Sequence, residues 1–140
     1  MKQFFQNIKI KSSNQCLTNI TPNINSFVKS TNVSKGLINI SVLHTTASLI
    51  VQEDADPNVM EDIQDFFNRI VPKEHLYKHN LEGLDDMPAH IKSCLTNTNL
   101  TISIINSELK LGTWQGIFLF EHRVNKIERN VFVHVIFLNM

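Results

Sequence analysis

The residues best suited to chemistry lie in one polar segment, where His79 is followed by Asp86 and His90. Asp86 and His90 are four positions apart and share one face of the helix predicted to begin there, while His79 precedes that helix on a loop. A carboxylate beside an imidazole can orient a metal-ligating histidine or set up a histidine as a general acid or base. The same spacing also fits a structural interpretation, in which Asp86 caps the helix and His90 lies at the surface.

Three other polar clusters lie at the ends of predicted elements, from which a rigid scaffold usually presents a site. They are residues 44–48, 53–57 and 111–116, the last of them followed by Glu121, His122 and Arg123. His44 is interpreted in one of two ways. It is either a histidine at a strand end whose hydrogen bonds are satisfied within the protein, or a metal ligand or general base. Asp56 is interpreted either as the cap of a helix or as a functional carboxylate. Glu53 has no comparable structural explanation.

An aromatic residue and an amide stand together between two glycines, at Trp114 and Gln115. An aromatic plate beside an amide suits the stacking and hydrogen bonding of a heteroaromatic ring. A tryptophan taken alone fits the hydrophobic core at least as well. Both interpretations of Trp114 remain open from its sequence context.

The elements that must position these residues are predicted from hydrophobic periodicity. The clearest is a helix that begins at Asp56-Pro57 and ends before Pro72. Its predicted apolar face consists of Val59, Met60, Ile63, Phe66, Phe67 and Ile70. We expect this face to be buried, so that Phe66→Ala would cost roughly 3 to 5 kcal/mol.

The remaining pattern mixes helices and strands, which is typical of an α+β domain. Further helices are predicted from Thr21 to a stop at Gly36 and from Asp86 to about Leu95. Strands are predicted near residues 4–10, 16–21, 37–43, 48–52, 100–105, 114–120 and 131–138. Segment 16–21 is a candidate hairpin partner of the first strand, and residues 124–130 are predicted to be the hairpin loop of a final antiparallel meander.

Composition excludes several classes of protein. The 140 residues fit one domain, 1–140, and the 42% apolar and 19% charged residues exclude a disordered or fibrous chain. Thirteen basic and thirteen acidic residues cancel, so no global field attracts nucleic acid or anionic lipid. Neither a signal peptide nor an apolar run of the ~18 residues of a membrane span is visible. We expect a cytoplasmic protein without nucleic-acid or membrane partners, with Cys16 and Cys94 reduced and Cys94 buried.

The order of these motifs carries a family resemblance. It rests on DDMPAHIK at residues 85–92 and LGTWQG at 111–116, together with 44–48, 53–57 and 77–79. Over residues 4–138 the chain resembles the secondary thiamine-phosphate synthase (YjbQ-like) family. The resemblance implies a mixed or antiparallel β-sandwich-like core with two or three flanking helices, assembled as a homotrimer. It also implies a single pocket lined by His44, Glu53, Asp56, His79, Asp86, His90, Trp114, Gln115, Glu121 and Arg129.

The family is named for coupling a hydroxymethylpyrimidine diphosphate to a thiazole phosphate, a transferase reaction. In the implied pocket the catalytic residues are His44, Glu53, Asp86 and His90. The implied substrate-binding residues are Asp56, Lys92, Trp114, Gln115, Glu121 and Arg129. The departing pyrophosphate needs a divalent ion and positively charged side chains. The sequence offers Asp85, Asp86, Glu53 and Asp56 to hold the ion, Lys92, Arg123 and Arg129 as cations, and Trp114 as a surface on which the pyrimidine stacks.

Two other functions fit the same residues. His44, His79 and His90 are expected to hold a divalent ion, Zn²⁺ or Mg²⁺, and Zn²⁺ suits imidazole ligands. The first alternative is a trimeric metal-binding or interaction protein that catalyses nothing. The second is a metal-dependent hydrolase. Metal content distinguishes both alternatives from a pocket without metal, and turnover distinguishes the enzymes from the binding protein. The substrate of the synthase is a small molecule.

Overall fold

The computed structural model describes residues 1–12 and 14–138. Within them the chain forms three helices and eight strands. The helices are α1 (Thr21–Ser30), α2 (Pro57–Ile70) and α3 (Asp86–Leu95). The strands are β1 (Lys2–Ser12), β2 (Leu17–Asn19), β3 (Lys35–Val42), β4 (Ala47–Glu53), β5 (Asn99–Ile105), β6 (Glu108–Leu109), β7 (Gln115–Glu121) and β8 (Ile127–Phe137).

The strands form two antiparallel sheets, as the predicted α+β sandwich-like core requires. The larger sheet has the order β1-β8-β3-β5-β6 and the smaller sheet the order β2-β7-β4. One hydrophobic cluster joins both sheets and α1. Among its fully buried members are Ile24, Val28, Ile38, Ile40, Leu49, Ile117, Leu119, Val131, Val133 and Val135. None of the helices in the described residues is long and apolar enough to cross a membrane.

The smaller sheet presents a second face to helices α2 and α3. Along β7, Leu119 belongs to the core cluster and the alternating residue Phe120 lies on the opposite face. The Phe120 ring meets the edge of Phe67 from α2, with centroids 5.5 Å apart. Ser93 of α3 donates to the carbonyl of Ala47 at 3.1 Å. The C-terminal half of α3 is thereby fixed beside the first residue of β4.

The predicted pairing of the terminal strands is wrong. β1 pairs along its whole length with β8, whereas β2 pairs with β7, so segment 16–21 is not a hairpin partner of β1. β7 and β8 lie in different sheets, and the final strands therefore form no meander. β8 already begins at Ile127, inside the predicted loop. Alternation along one strand shows which face is apolar but contains no information about its partner.

The predicted stop of the first helix at Gly36 is also wrong. α1 ends at Ser30, and Asn32 takes a left-handed conformation with φ of 56°. Gly36 lies within β3, where an added Cβ would stand 2.6 Å from the carbonyl oxygen of Ile136. The glycine is needed because the backbones approach closely, not because a helix ends there.

The predicted bounds of α2 are confirmed, but the predicted burial of its apolar face is not. Asp56 caps the helix by accepting from the backbone N–H of Asn58 at 2.9 Å. Within the single chain none of the α2 residues is buried, and Phe66 is 46% exposed. The expected loss of roughly 3 to 5 kcal/mol for Phe66→Ala does not apply to the single chain, because that range holds for buried rings. Cys94, predicted to be buried, is exposed.

Candidate functional site

Two histidines and an aspartate meet at the start of α3. Nε2 of His79 lies 2.7 Å from Oδ2 of Asp86, and Nε2 of His90 lies 3.4 Å from the same oxygen. The three ligand atoms are all within 4.8 Å of one another. Asp86 and His90 share a face of α3 at helical spacing, and His79 reaches them from the irregular segment before the helix. The structure thus brings together two of the three histidines predicted as ligands, His79 and His90, with Asp86 between them.

The Asp86 carboxylate does not cap its helix. The N-cap position belongs to Asp85, and Asp86 is the first helical residue, with its side chain buried. One oxygen of Asp86 faces His79 and His90, and the other accepts from Nη1 of Arg123. The structural interpretation of Asp86 as a simple cap is therefore wrong.

Arg123 connects this carboxylate to the loop before α3. Its Nε donates to Oδ2 of Asp85 at 3.0 Å, and its Nη2 donates to the carbonyl of Glu82 at 2.9 Å. Burial raises the pKa of Asp85, but the Val124 N–H and the Arg123 guanidinium outweigh it, so that the pKa is lowered overall. Arg123 was predicted to be a pyrophosphate ligand, yet all three of its side-chain nitrogens are bonded within the protein. Two adjacent acids at a helix start were the sequence signal that a cation is needed there.

The three ligand atoms have the chemistry and the spacing of a metal site. Catalytic zinc sites commonly combine three protein ligands from histidine and carboxylate with one open position. Tetrahedral zinc bonds of the usual length place ligand atoms about 3.3 Å apart. The 3.4 Å between His90 and Asp86 agrees with this separation, whereas the 2.7 Å between His79 and Asp86 is shorter by about 0.6 Å and is the length of a direct hydrogen bond. His79 and His90 keep 45% and 31% of their side chains exposed, so the group is open to small molecules.

Within one chain, the structure does not bring His44 to this group. His44 follows β3, and its Nε2 accepts from the backbone N–H of Asn130 at 2.8 Å. Burial lowers the pKa of His44, and Arg129 lowers it further, against an opposing effect of Glu121. The hydrogen bond to the start of β8 gives His44 a structural role in the single chain.

Glu121 and Arg129 form an ion pair inside the protein. Glu121 is 0% exposed and Arg129 is 4% exposed. Nε of Arg129 donates to Oε2 of Glu121 at 2.7 Å, and the Ser12 hydroxyl donates to the same oxygen at 2.5 Å. Burial raises the pKa of Glu121, but the hydrogen bonds from Arg129 and Ser12 outweigh it and the pKa is lowered. Neither residue reaches solvent, so the geometry does not support their predicted contact with substrate.

Lys92 and His122 are buried on the helix side of the smaller sheet. Nζ of Lys92 donates to Oδ1 of Asn68 at 2.6 Å, and the lysine is 2% exposed. Nε2 of His122 lies 2.8 Å from the Ser48 hydroxyl. Among the described residues, Nδ1 of His122 is the one buried side-chain nitrogen or oxygen without a hydrogen-bond partner. Burial, followed by Lys92, lowers the pKa of His122 to about 3. Lys92, predicted to bind substrate, is thus directed into the protein.

The remaining predicted site residues gather elsewhere. Glu53 and Asp56 line an open groove of about 200 Å³ with Phe118. Gln115 pairs with Glu53 across β4 and β7, and its Oε1 accepts from the Gly112 N–H at 2.7 Å. Trp114 precedes Gln115 and is 65% exposed, so it is not a core residue.

The groove lies at one end of β7, and the histidine group lies beyond the other. The seven residues of β7 extend about 20 Å. Gln115 begins this strand, and Arg123, which binds Asp86, follows its last residue by two positions. A single chain therefore does not assemble the one pocket that the sequence predicted.

The fold and the site together define a class of protein: a small α+β domain with two antiparallel sheets and a group of two histidines and one carboxylate where a helix begins. A family model described as "UPF0047 protein YjbQ-like" matches residues 6–137. The chain belongs to this family.

Known relatives agree in sequence and in fold. The UPF0047 protein sll1880 of Synechocystis sp. is 47% identical over 135 residues, which are 96% of this chain and 92% of the relative. The UPF0047 protein YjbQ of Escherichia coli O157:H7 is 43% identical over 71% of this chain and 72% of its own. A crystal structure of a YjbQ/UPF0047 family protein from Clostridium acetobutylicum superposes with a TM-score of 0.87 at 38% identity, covering 94% of this chain and 99% of that one. These names identify the family and state no reaction.

Proposed function

We propose that this protein is a divalent-metal-dependent enzyme whose metal ligands are His79, Asp86 and His90. The observation that carries the proposal is the convergence of their three ligand atoms to within 4.8 Å. Three protein ligands leave a coordination position free, which is typical of catalytic zinc sites, whereas structural sites use four. Both imidazoles are partly exposed, which supports access of a small molecule to an ion bound there.

The ion supplies Lewis acidity to an oxygen atom of the substrate. The protein contributes a fixed carboxylate and two imidazoles of which one is mounted on a helix. Asp86 holds its position because it is buried and bonded to Arg123. His90 is fixed by α3, and His79 is fixed by its loop, which Arg123 ties down at the carbonyl of Glu82.

The finer proposal is thiamine-phosphate synthesis, and it rests on the family resemblance. An ion held by His79, Asp86 and His90 would supply positive charge for the diphosphate that leaves the pyrimidine. The lysine and arginines that the sequence offered for the same task are already engaged: Lys92 with Asn68, Arg123 with Asp85 and Asp86, and Arg129 with Glu121. A slow, secondary synthase fits this inventory better than a dedicated one.

His90→Ala is expected to lower the affinity for Zn²⁺ by about 100-fold or more. Replacing a residue that only hydrogen-bonds to a metal ligand already lowers metal affinity by about 10- to 100-fold, and His90 is itself a proposed ligand. Metal bound to the purified protein and thiamine-phosphate formation should fall together. Affinity should also fall on acidification, because imidazoles must lose their protons to bind a metal. Metal content by elemental analysis and product formation in a coupled assay check both.

His134→Ala is the matched control. His134 is an imidazole on the larger sheet bonded to Gln3, and its loss should change neither metal nor activity. A His90→Ala protein that retains its metal would overturn the metal centre. Loss of metal with unchanged synthesis would assign the reaction to carboxylates with Mg²⁺. Metal binding without turnover of phosphate esters or the thiamine precursors would leave a non-catalytic metal-binding protein.

A homotrimer is the assembly that we propose for this site. The family resemblance implies it, and two features of the single chain support it. The apolar face of α2 has no buried residue, and the groove at Glu53 lies at the opposite end of β7 from the histidine group. A neighbouring copy of the chain can cover the apolar face of α2. It can also bring the groove at Glu53 of one chain next to the histidine group of another. Light scattering at micromolar concentration should give about three times the 16.1 kDa chain mass, and a clean monomer would contradict the proposal.

A further inference from the structure

We infer that Arg123 is a positioning residue that restricts Asp86 to one metal-ligating oxygen and thereby keeps a coordination position open. The inference rests on the proposed metal centre at His79, Asp86 and His90. It concerns how that centre remains accessible to a substrate oxygen rather than whether an ion binds.

The two oxygens of Asp86 are used for different purposes. Oδ2 faces Nε2 of His79 at 2.7 Å and Nε2 of His90 at 3.4 Å. Oδ1 accepts from Nη1 of Arg123. Carboxylates bind metal ions through either one or both oxygens. A guanidinium on Oδ1 brings a positive charge to that side, so a divalent ion is directed to Oδ2 alone.

Arg123 cannot easily leave this position. Its side chain is 15% exposed, and its Nε and Nη2 donate to Oδ2 of Asp85 and to the carbonyl of Glu82. Its backbone N–H donates to Oε1 of Glu121 at 2.9 Å. The planar guanidinium satisfies acceptors in a fixed geometry that an ammonium does not reproduce. The buried end of β7 thus holds the arginine from behind while the arginine holds Asp86.

Removal of the guanidinium frees Oδ1. Asp86 can then turn to ligate the ion with both oxygens, and the second oxygen takes the position that an external ligand needs. The ion itself remains bound by His79, His90 and Asp86. The specific consequence is that access of an external ligand to the ion is lost to a greater degree than affinity for the ion. A residue that only stabilised the fold would change the melting temperature without this separation.

The test uses the full-length protein loaded with Co²⁺, whose absorption spectrum reports the number of ligands, with azide as the external ligand. The wild-type spectrum should change on addition of azide. The affinity of Arg123→Ala for Co²⁺ should lie within about 100-fold of the wild-type affinity, because Arg123 contacts a proposed ligand and not the ion. Its apparent azide affinity should fall more than its Co²⁺ affinity. Millimolar guanidinium should restore the azide response by refilling the space, whereas ammonium at the same concentration should not.

Arg69→Ala is the matched control, because Arg69 is an arginine on α2 that lies over the ring of Phe66. It should leave the azide response unchanged. If Arg123→Ala does not fold, as judged by circular dichroism, Arg123→Gln fills the space without the charge and should lose the response in the same way. An unchanged azide response in the folded variant overturns this inference and leaves the metal centre standing. A wild type that binds no Co²⁺ overturns the metal centre and this inference with it.

Discussion

Arg129→Met is expected to lower the free energy of unfolding by about 3 to 5 kcal/mol, as the loss of one partner of a buried ion pair does. The guanidinium donates twice to Glu121, once to each oxygen, and also bonds to Thr46. Its removal leaves a carboxylate that is 0% exposed without its cation. Chemical denaturation followed by circular dichroism measures the loss. Removing the arginine also frees Glu121 to be protonated at higher pH, because Arg129 helps to lower its pKa.

The double variant Glu121→Leu with Arg129→Met separates the cost of an unpaired charge from the cost of lost packing. Replacing both members of a buried pair by apolar residues is often neutral or stabilising. The double variant should therefore recover part of the stability that Arg129→Met alone loses, and the remaining loss reflects the Ser12 hydroxyl and the Arg123 N–H, which no longer have Glu121 as their acceptor. A single variant within about 1 kcal/mol of the wild type would contradict the assignment of this pair to the protein interior.

The second large effect is a loss of stability in mild acid caused by His122. Burial, and after it Lys92, lower the pKa of His122 from an ordinary value of 6.5 to about 3. Glu121 acts to raise this pKa, and Arg129 acts to lower it. Between these pH values the unfolded chain binds a proton at His122 that the folded protein does not. Stability is therefore highest above pH 6.5 and falls as the pH decreases, by about 1.4 kcal/mol for each pH unit.

His122→Gln isolates this contribution. A glutamine can keep a hydrogen bond to the Ser48 hydroxyl but does not titrate, so the dependence of unfolding free energy on pH should become flatter between pH 6.5 and 5. The wild type should lose about 2 kcal/mol more than the variant over that range. Below it, Asp85 and Glu121, whose pKa values are lowered in the fold, add a loss of their own as they become protonated. Equal slopes for the two proteins above pH 5 would show that His122 is not buried in its neutral form.

The local part of the site follows from the sequence. Asp86 and His90 are four residues apart on one helix, and the helical repeat alone places them on one face. The same kind of short-range rule gave the bounds of α2, because Asp56-Pro57 starts a helix and the apolar stripe continues to Ile70. These features depend on backbone geometry and on hydrogen bonds over a few residues.

The sequence by itself thus determined the family, the α+β class, the helix bounds at α2 and α3 and the shared helix face of Asp86 and His90, whereas it grouped His44 with His79 and His90 and the tertiary structure did not. Only the tertiary structure decided that Lys92 and Arg129 are directed inward, that Arg123 binds Asp86, and that Phe66 lies half-exposed. Each of these outcomes depends on a partner far away in the chain, and many partners are compatible with the same local pattern. The choice among them is made by loop closure, burial and charge pairing summed over the whole domain, which no window of neighbouring residues contains.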